Sequence, residues 1–140
     1  MESDERATPP GDESIGEIEK HNLNVDITTL PIYTRSQLAQ FNGTDRPQTY
    51  VAIRGYIYDV SSNAKNYGPG KSYHRLVGKD VTRLFGLNTL SLTSARSQGD
   101  SRSWYTGDFT AKENAAVDSW VSFFRKRYPI VGLVVDHDSG

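Results

Sequence analysis

The chain has 140 residues, of which 24% are charged and 36% apolar, and its formal net charge is −1. That length suits one compact domain with a single core, and a near-neutral balance argues against a nucleic-acid partner. Cysteine is absent, which excludes disulfides, zinc ribbons, iron–sulfur clusters and thiolate catalysis, so any metal must be held by His, Tyr or carboxylate groups.

The charge is unevenly placed. Residues 1–30 hold eight acidic side chains against Arg6 and Lys20, so an acidic segment is joined to a mildly basic remainder. Residues 1–24 are polar and interrupted by Pro9, Pro10, Gly11 and Gly16. They bury too little apolar surface to offset the entropy of ordering and are expected to form a disordered acidic tail. The domain is expected over 25–135, followed by a polar tail over 136–140. No apolar run approaches the roughly 18 residues of a membrane span, and the acidic start is unlike a secretory signal or transit peptide.

In chain order, Val25, Ile27, Leu30 and Ile32 suggest an extended segment along the domain edge, and Pro31 keeps it off a central strand. Thr34 and Gln37 form a capping box for a short helix that buries Leu38 and Phe41 and stops at Asn42-Gly43. "TYVAIRGYIYDVS" reads as a hairpin turning at Arg54-Gly55. After a glycine loop, Leu76, Val77, Val81, Leu84 and Phe85 recur at helical spacing, with Lys71, Arg75, Lys79 and Arg83 along another face. Residues 88–103 are polar and expected to be an exposed loop. A second capping box, Thr110 to Glu113, opens the longest helix, whose stripe is Val117, Trp120, Val121 and Phe124. Arg125, Lys126 and Arg127 suit its negative end, Pro129 stops it, and "IVGLVV" is a last strand. The order implies an α+β domain with helices grouped around a small sheet.

Motifs for most enzyme classes are missing: HExxH, GxSxG and a GxGxxG after a strand do not occur. His21 and His137 fall in terminal segments, which leaves His74, at the start of a helix, as a capping residue or a ligand. The loop "NYGPGKSYH", residues 66–74, is the chemically distinctive stretch. Its glycines permit close approach to a ligand, and Tyr67 and Tyr73 flank them. Spacing alone reads the pair as half-buried tyrosines holding a loop. A phenolate is also a hard anionic donor suited to ferric iron, and tyrosine is a known axial haem ligand. In that case Tyr67 could supply a hydrogen bond to the ligand phenol, and the cations of the following segment could pair haem propionates.

The run "YVAIRGYIYDVSSNAKNYGPGKSYHRLVGKDVTRLFG" resembles the cytochrome b5-like haem/steroid-binding domain, in the branch of the membrane-associated progesterone receptor components. That branch carries "hAhxGxhaDVT", a tyrosine before "GP", a second tyrosine six residues later, and "hAGxDASR". The segment "DFTAKENAAVDSWVSFFRKRYPIVG" is similar to the family's closing helix and strand. The resemblance spans roughly residues 32 to 135 and implies a small mixed sheet flooring a pocket walled by helix pairs.

It implies five-coordinate ferric haem b, with Tyr73 as the iron ligand (His74 the alternative) and Tyr67 as the phenol hydrogen-bonded to it. Lys71 and Arg75 are expected near the propionates, and Arg127 and Tyr128 correspond to family residues facing the haem. The "HPGG" histidine motif of true cytochrome b5 is absent, so bis-histidine ligation and cytochrome b5-type electron transfer are not expected. The loop reads "GPGKSY" where the family has "GPxGPY". The expected function is a haem-binding module, not an enzyme: a haem carrier or regulatory partner of a haem-dependent enzyme or other protein, with a haem-mediated homodimer as a further form. The alternative is a protein-interaction module, or a binder of an apolar ligand, that keeps the fold without haem. The expected setting is intracellular: cytoplasmic, or on the cytosolic face of an endomembrane if the sequence is a domain of a longer chain.

Overall fold

The β-branched and aromatic runs "YVAI" and "YIYD" build the centre of the molecule. In the computed structural model, which describes residues 16–88 and 103–135, β2 (Tyr50–Ile53) and β3 (Tyr56–Asp59) pair antiparallel around Arg54-Gly55. Both turn residues have positive φ, 52° at Arg54 and 84° at Gly55, as a two-residue hairpin turn of the primed type requires. The arginine in this left-handed conformation is fastened at both ends. Its backbone N–H donates to Thr82 Oγ1 at 2.7 Å, and its guanidinium pairs with Asp118 at 2.5 Å.

Two further strands, β1 (Ile32–Thr34) and β4 (Ile130–Val135), complete a mixed sheet in the order β1-β4-β3-β2. The edge strand β1 runs parallel to β4, and β4 runs antiparallel to β3. Pro31 immediately precedes the edge strand, where no ladder bond is lost to it. The strand period of two sends Val51, Ile53, Tyr58 and Val60 into a large core with the helices, and Ala52 and Ile57 into a smaller one with Leu38.

Both capping boxes form. Thr34 and Gln37 open α2 (Arg35–Leu38), and Thr110 and Glu113 open α5 (Ala111–Arg127). On α5, Val117 and Phe124 are buried, and Trp120 and Val121 pack against the same core. Between the hairpin and α5 come the short helices α3 (Ala64–Tyr67) and α4 (Thr82–Gly86).

Two expectations need correction. Residues 74–86 are not one helix. A single 3-10 turn, His74–Leu76, is followed by Gly78 at φ 77° and by an extended stretch alongside β2. There Gly78 N–H donates to Tyr50 O, Ala52 N–H to Lys79 O, and Val81 N–H to Ala52 O. A backbone engaged with a strand cannot also make helical bonds. The cation stripe is broken accordingly: Lys71, Arg75 and Lys79 are exposed, whereas Arg83 is fully buried and paired with Asp108. The second correction concerns residues 17–24 of the expected disordered tail, which form α1 (Glu17–Asn24) against α5. Asn22 holds it there. Its amide donates to Arg125 O and Tyr128 O and accepts from Ile130 N–H, all at 2.9 Å. Residues 1–15, most of the polar 88–103 segment, and the expected tail at 136–140 with His137 lie outside the described residues.

Candidate functional site

The loop 66–74 forms one wall of a cleft of about 230 Å³ at one end of the helical layer. Tyr67, Tyr73 and Leu76 line it from the loop side, Leu84, Phe85 and Asn88 from α4 and its end, and Trp120 from α5. Phe85 and Trp120 stack face to face, with centroids 4.4 Å apart and planes 16° apart. The cleft is therefore flat-walled and aromatic on one side and phenolic on the other.

The loop is shaped by its own backbone. Tyr73 N–H donates to Asn66 O at 2.9 Å, Lys71 N–H to Gly68 O at 3.0 Å, and His74 N–H to Lys71 O at 3.1 Å. A Cβ on Gly68 would lie 2.6 Å from the carbonyl oxygen of Ala64, so no side chain fits where the loop leaves α3. Gly70 takes φ 82°, a left-handed conformation that glycine adopts without strain.

The two tyrosines play unlike parts. Tyr67 is 4% exposed and Tyr73 is 38% exposed. Their rings lie 5.7 Å apart, tilted by 47°. They meet through their rings, not through a hydroxyl–hydroxyl hydrogen bond, and the Tyr67 hydroxyl has no hydrogen-bond partner among the described residues. Burial pushes the Tyr67 phenol well above its ordinary value, with the neighbouring phenols of Tyr128 and Tyr73 adding to the rise. Tyr67 thus stays a neutral hydrogen-bond donor on the cleft wall.

Tyr128 sits beneath this pair. Its buried ring meets that of Tyr67 edge-on, 6.2 Å away at 87°, and that of Phe124 at 5.1 Å. Its hydroxyl accepts from Asn63 Nδ2 at 2.9 Å, and Asn63 in turn accepts from Asn66 at the start of the loop. Tyr128 therefore supports Tyr67 and is not among the residues lining the cleft. Arg127 is exposed, with its guanidinium 4.3 Å over the ring of Phe123, which is itself edge-on to Trp120. Lys71 and Arg75 are exposed on the loop and on the turn after it. His74 is half-buried, and its Nδ1 lies 2.9 Å from the carbonyl oxygen of Tyr67.

Of the site residues expected from sequence, the structure brings Tyr67 and Tyr73 together on the cleft wall. It sets Tyr128 behind them, and Lys71, Arg75 and Arg127 outside the cleft. Leu76, Leu84, Phe85 and Trp120 were readable from sequence only as core stripes, because a cleft wall and a core have the same helical spacing. Asn88 and Asn63 carried no signal of their own.

A donor set of one exposed phenol, one buried and unpartnered phenol, and two stacked aromatic rings fits a flat iron porphyrin. No group of three or more His, Cys, Asp or Glu residues capable of holding a bare metal ion occurs among the described residues. None of the described helices is long and apolar enough to cross a membrane.

Comparison with known proteins gives the family and the fold. Residues 34–100 match the family model described as "Cytochrome b5-like Heme/Steroid binding domain". A neuferricin homolog of Caenorhabditis elegans is 37% identical over 122 residues, covering 85% of this chain and 35% of that protein. The chain thus spans about a third of that relative's length. The cytochrome P450 regulator dap1 of Schizosaccharomyces pombe is 27% identical over 103 residues, 74% of this chain and 62% of dap1. Among solved structures, a hypothetical Arabidopsis thaliana protein described as having a cytochrome b5 like fold aligns with a TM-score of 0.64. It is 35% identical, over 76% of this chain and 93% of that one.

Proposed function

Because this chain belongs to the cytochrome b5-like haem/steroid-binding domain family, we propose that it binds ferric haem in the Tyr73–Trp120 cleft, as a carrier or a regulatory partner of another protein. The observation that carries the reading is the pair of phenols: Tyr73 exposed at the cleft, and Tyr67 buried beside it with no hydrogen-bond partner among the described residues. When bound, haem supplies a Lewis-acidic ferric iron and its redox couple. Tyr73 offers the anionic oxygen that such an iron prefers.

Tyr67, kept neutral by burial, can donate a hydrogen bond to an oxygen in the cleft, which stabilises the ionised form of a neighbouring phenol. Phe85 and Trp120 provide flat apolar contact and exclude water from that side. Exposed Lys71, Arg75 and Arg127 would be the cations to pair with the carboxylates of a bound haem. The chain's part is binding and orientation, which suits a module that serves a partner. A regulatory role toward a haem-dependent enzyme is supported by the name of the S. pombe relative.

Titration of the protein with hemin tests this. Stoichiometric binding with a high-spin ferric tyrosinate spectrum, lost in Tyr73→Phe, is the expected result. Identical spectra and affinities in the two proteins would overturn the ligand assignment. Folded protein that takes up no hemin would instead assign the fold to a protein-interaction module.

A further inference from the structure

We propose that His74 is a positioning residue that holds the ligand loop in shape through its side chain, and is not an iron ligand; the inference rests on the haem reading above. Among the described residues, every other hydrogen bond between residues 67 and 74 runs from backbone to backbone. The single side-chain fastening is the contact from His74 Nδ1 to the carbonyl oxygen of Tyr67, at 2.9 Å. A carbonyl oxygen can only accept, so Nδ1 carries the hydrogen, and the contact fixes the tautomer.

The accepting group is significant. Tyr67 is the last residue of α3, so its carbonyl has no intrahelical partner of its own. His74 satisfies that carbonyl from the far side of the loop. The bond joins the residue bearing the buried phenol to the immediate neighbour of the residue bearing the exposed one. It therefore limits how far the Tyr67 and Tyr73 rings can move apart from their 5.7 Å spacing. Between the two ends, Pro69, Gly70, Lys71 and Ser72 are all exposed and provide little packing. A loop with this much backbone freedom pays entropy on ordering, and each closing contact reduces what ligand binding must still supply.

Position separates the two roles. Tyr73 lines the cleft and His74 does not. Yet an imidazole that donates one N–H to a backbone carbonyl is also the usual posture of a metal-ligating histidine, with its second nitrogen on the metal. The experiment must therefore separate fastening from ligation.

Two variants do so. In His74→Asn the amide can donate to the same carbonyl but offers no counterpart to Nε2, whereas His74→Leu keeps bulk and removes the donor. Hemin affinity and ferric absorption spectra would be measured for both, with amide exchange of residues 68–73 in the haem-free proteins. The Asn variant is expected to stay within about twofold of wild type with an unchanged spectrum. The Leu variant should bind hemin roughly fivefold more weakly, the equivalent of one hydrogen bond, while keeping the tyrosinate spectrum and exchanging faster in the loop. A changed ferric spectrum in both variants would make His74 the ligand and overturn the proposal. Unchanged affinity and exchange in the Leu variant would overturn it as well. If wild-type protein takes up no hemin, the haem reading fails separately. Exchange then decides the fastening: faster in Leu and not in Asn supports it, and equal rates in all three proteins refute it.

Discussion

The rings of Tyr67 and Tyr73 lie 5.7 Å apart, yet the first is sealed at 4% exposure and the second stands at 38%. One loop thus presents two identical side chains at very different exposure. Burial, with Tyr128 and Tyr73 nearby, drives the Tyr67 phenol away from ionising, so Tyr67 meets the cleft as a neutral hydrogen-bond donor.

Substitution should separate the two. Tyr73→Phe is expected to abolish the tyrosinate charge-transfer band while changing stability by no more than about 0.5 kcal/mol, because the lost hydroxyl is near solvent. Tyr67→Phe should keep that band and weaken hemin binding by up to about tenfold, the scale of one hydrogen bond to a charged group. Absorption spectroscopy and chemical denaturation check both. Retention of the band in Tyr73→Phe would end the ligand assignment.

The same burial predicts alkaline lability. Tyr50, Tyr58 and Tyr67 all sit above the ordinary tyrosine value. Desolvation leads in each case, opposed at Tyr58 by the Arg125 guanidinium and reinforced at Tyr50 by Asp59. In the unfolded chain these phenols ionise near pH 10, whereas the folded protein holds their protons to higher pH. Above that point the folded state binds more protons than the unfolded state, so stability falls as pH rises. The contribution is complete below about pH 10 and is lost progressively toward the folded values. Urea midpoints at a series of pH values should decline beyond pH 10, and the decline should be shallower in Tyr67→Phe. A flat profile would contradict the burial argument.

Local signals explain which parts of this architecture were legible from sequence. The capping boxes at Thr34 and Thr110, the Arg54-Gly55 turn and the β-branched and aromatic runs of β2 and β3 are encoded in neighbouring residues, and each forms as expected. The failures are non-local. Residues 74–86 carry helical spacing, but β2 engages the backbone of 78–81, and Gly78 breaks the run at φ 77°. No pattern within that segment reveals a strand more than 25 residues away. The Tyr67/Tyr73 pair was legible through the family resemblance and not through spacing. For His74, in the same loop, the sequence offers no sign of its contact with the Tyr67 carbonyl, which only the fold brings about.

Arg83 is the other residue that periodicity misplaced. Read as one of four cations along a single helix face, it is fully buried. Nη1 and Nη2 reach the two oxygens of Asp108 at 2.7 and 3.1 Å, and Nη1 also reaches Tyr105 O. Its backbone N–H donates to Ser103 O at 2.7 Å. Together these hold residues 103–109 against α4, the helix that carries Leu84 and Phe85 of the cleft. Asp108→Asn leaves a buried guanidinium without its carboxylate, and the expected cost is about 3 kcal/mol. The double variant Arg83→Met, Asp108→Asn should recover part of that loss, since a buried apolar side chain carries no desolvation penalty. Denaturant unfolding of the single and double variants measures the coupling. Additive losses would refute the charge-pair account.

Asn22 offers the sharpest test of the N-terminal segment. Composition marked residues 17–24 as tail, because α1 has almost no apolar stripe and Leu23 is 61% exposed. What docks the helix is one buried amide that meets the Arg125 and Tyr128 carbonyls and the Ile130 N–H, at the point where α5 passes into β4. Asn22→Ala leaves those backbone groups short of partners, at an expected cost of about 2 kcal/mol. Asn22→Asp keeps an acceptor for Ile130 but sets a negative charge against two carbonyl oxygens, so it should be at least as damaging at neutral pH. Tyr128 is held by its carbonyl through Asn22 and by its hydroxyl through Asn63, and its ring supports Tyr67. Loss of the first hold should therefore also speed hemin release. Limited proteolysis is expected to cut within residues 17–24 in both variants and to spare wild type. Equal cleavage of all three, with unchanged unfolding midpoints, would show that α1 is the loose tail its composition suggested.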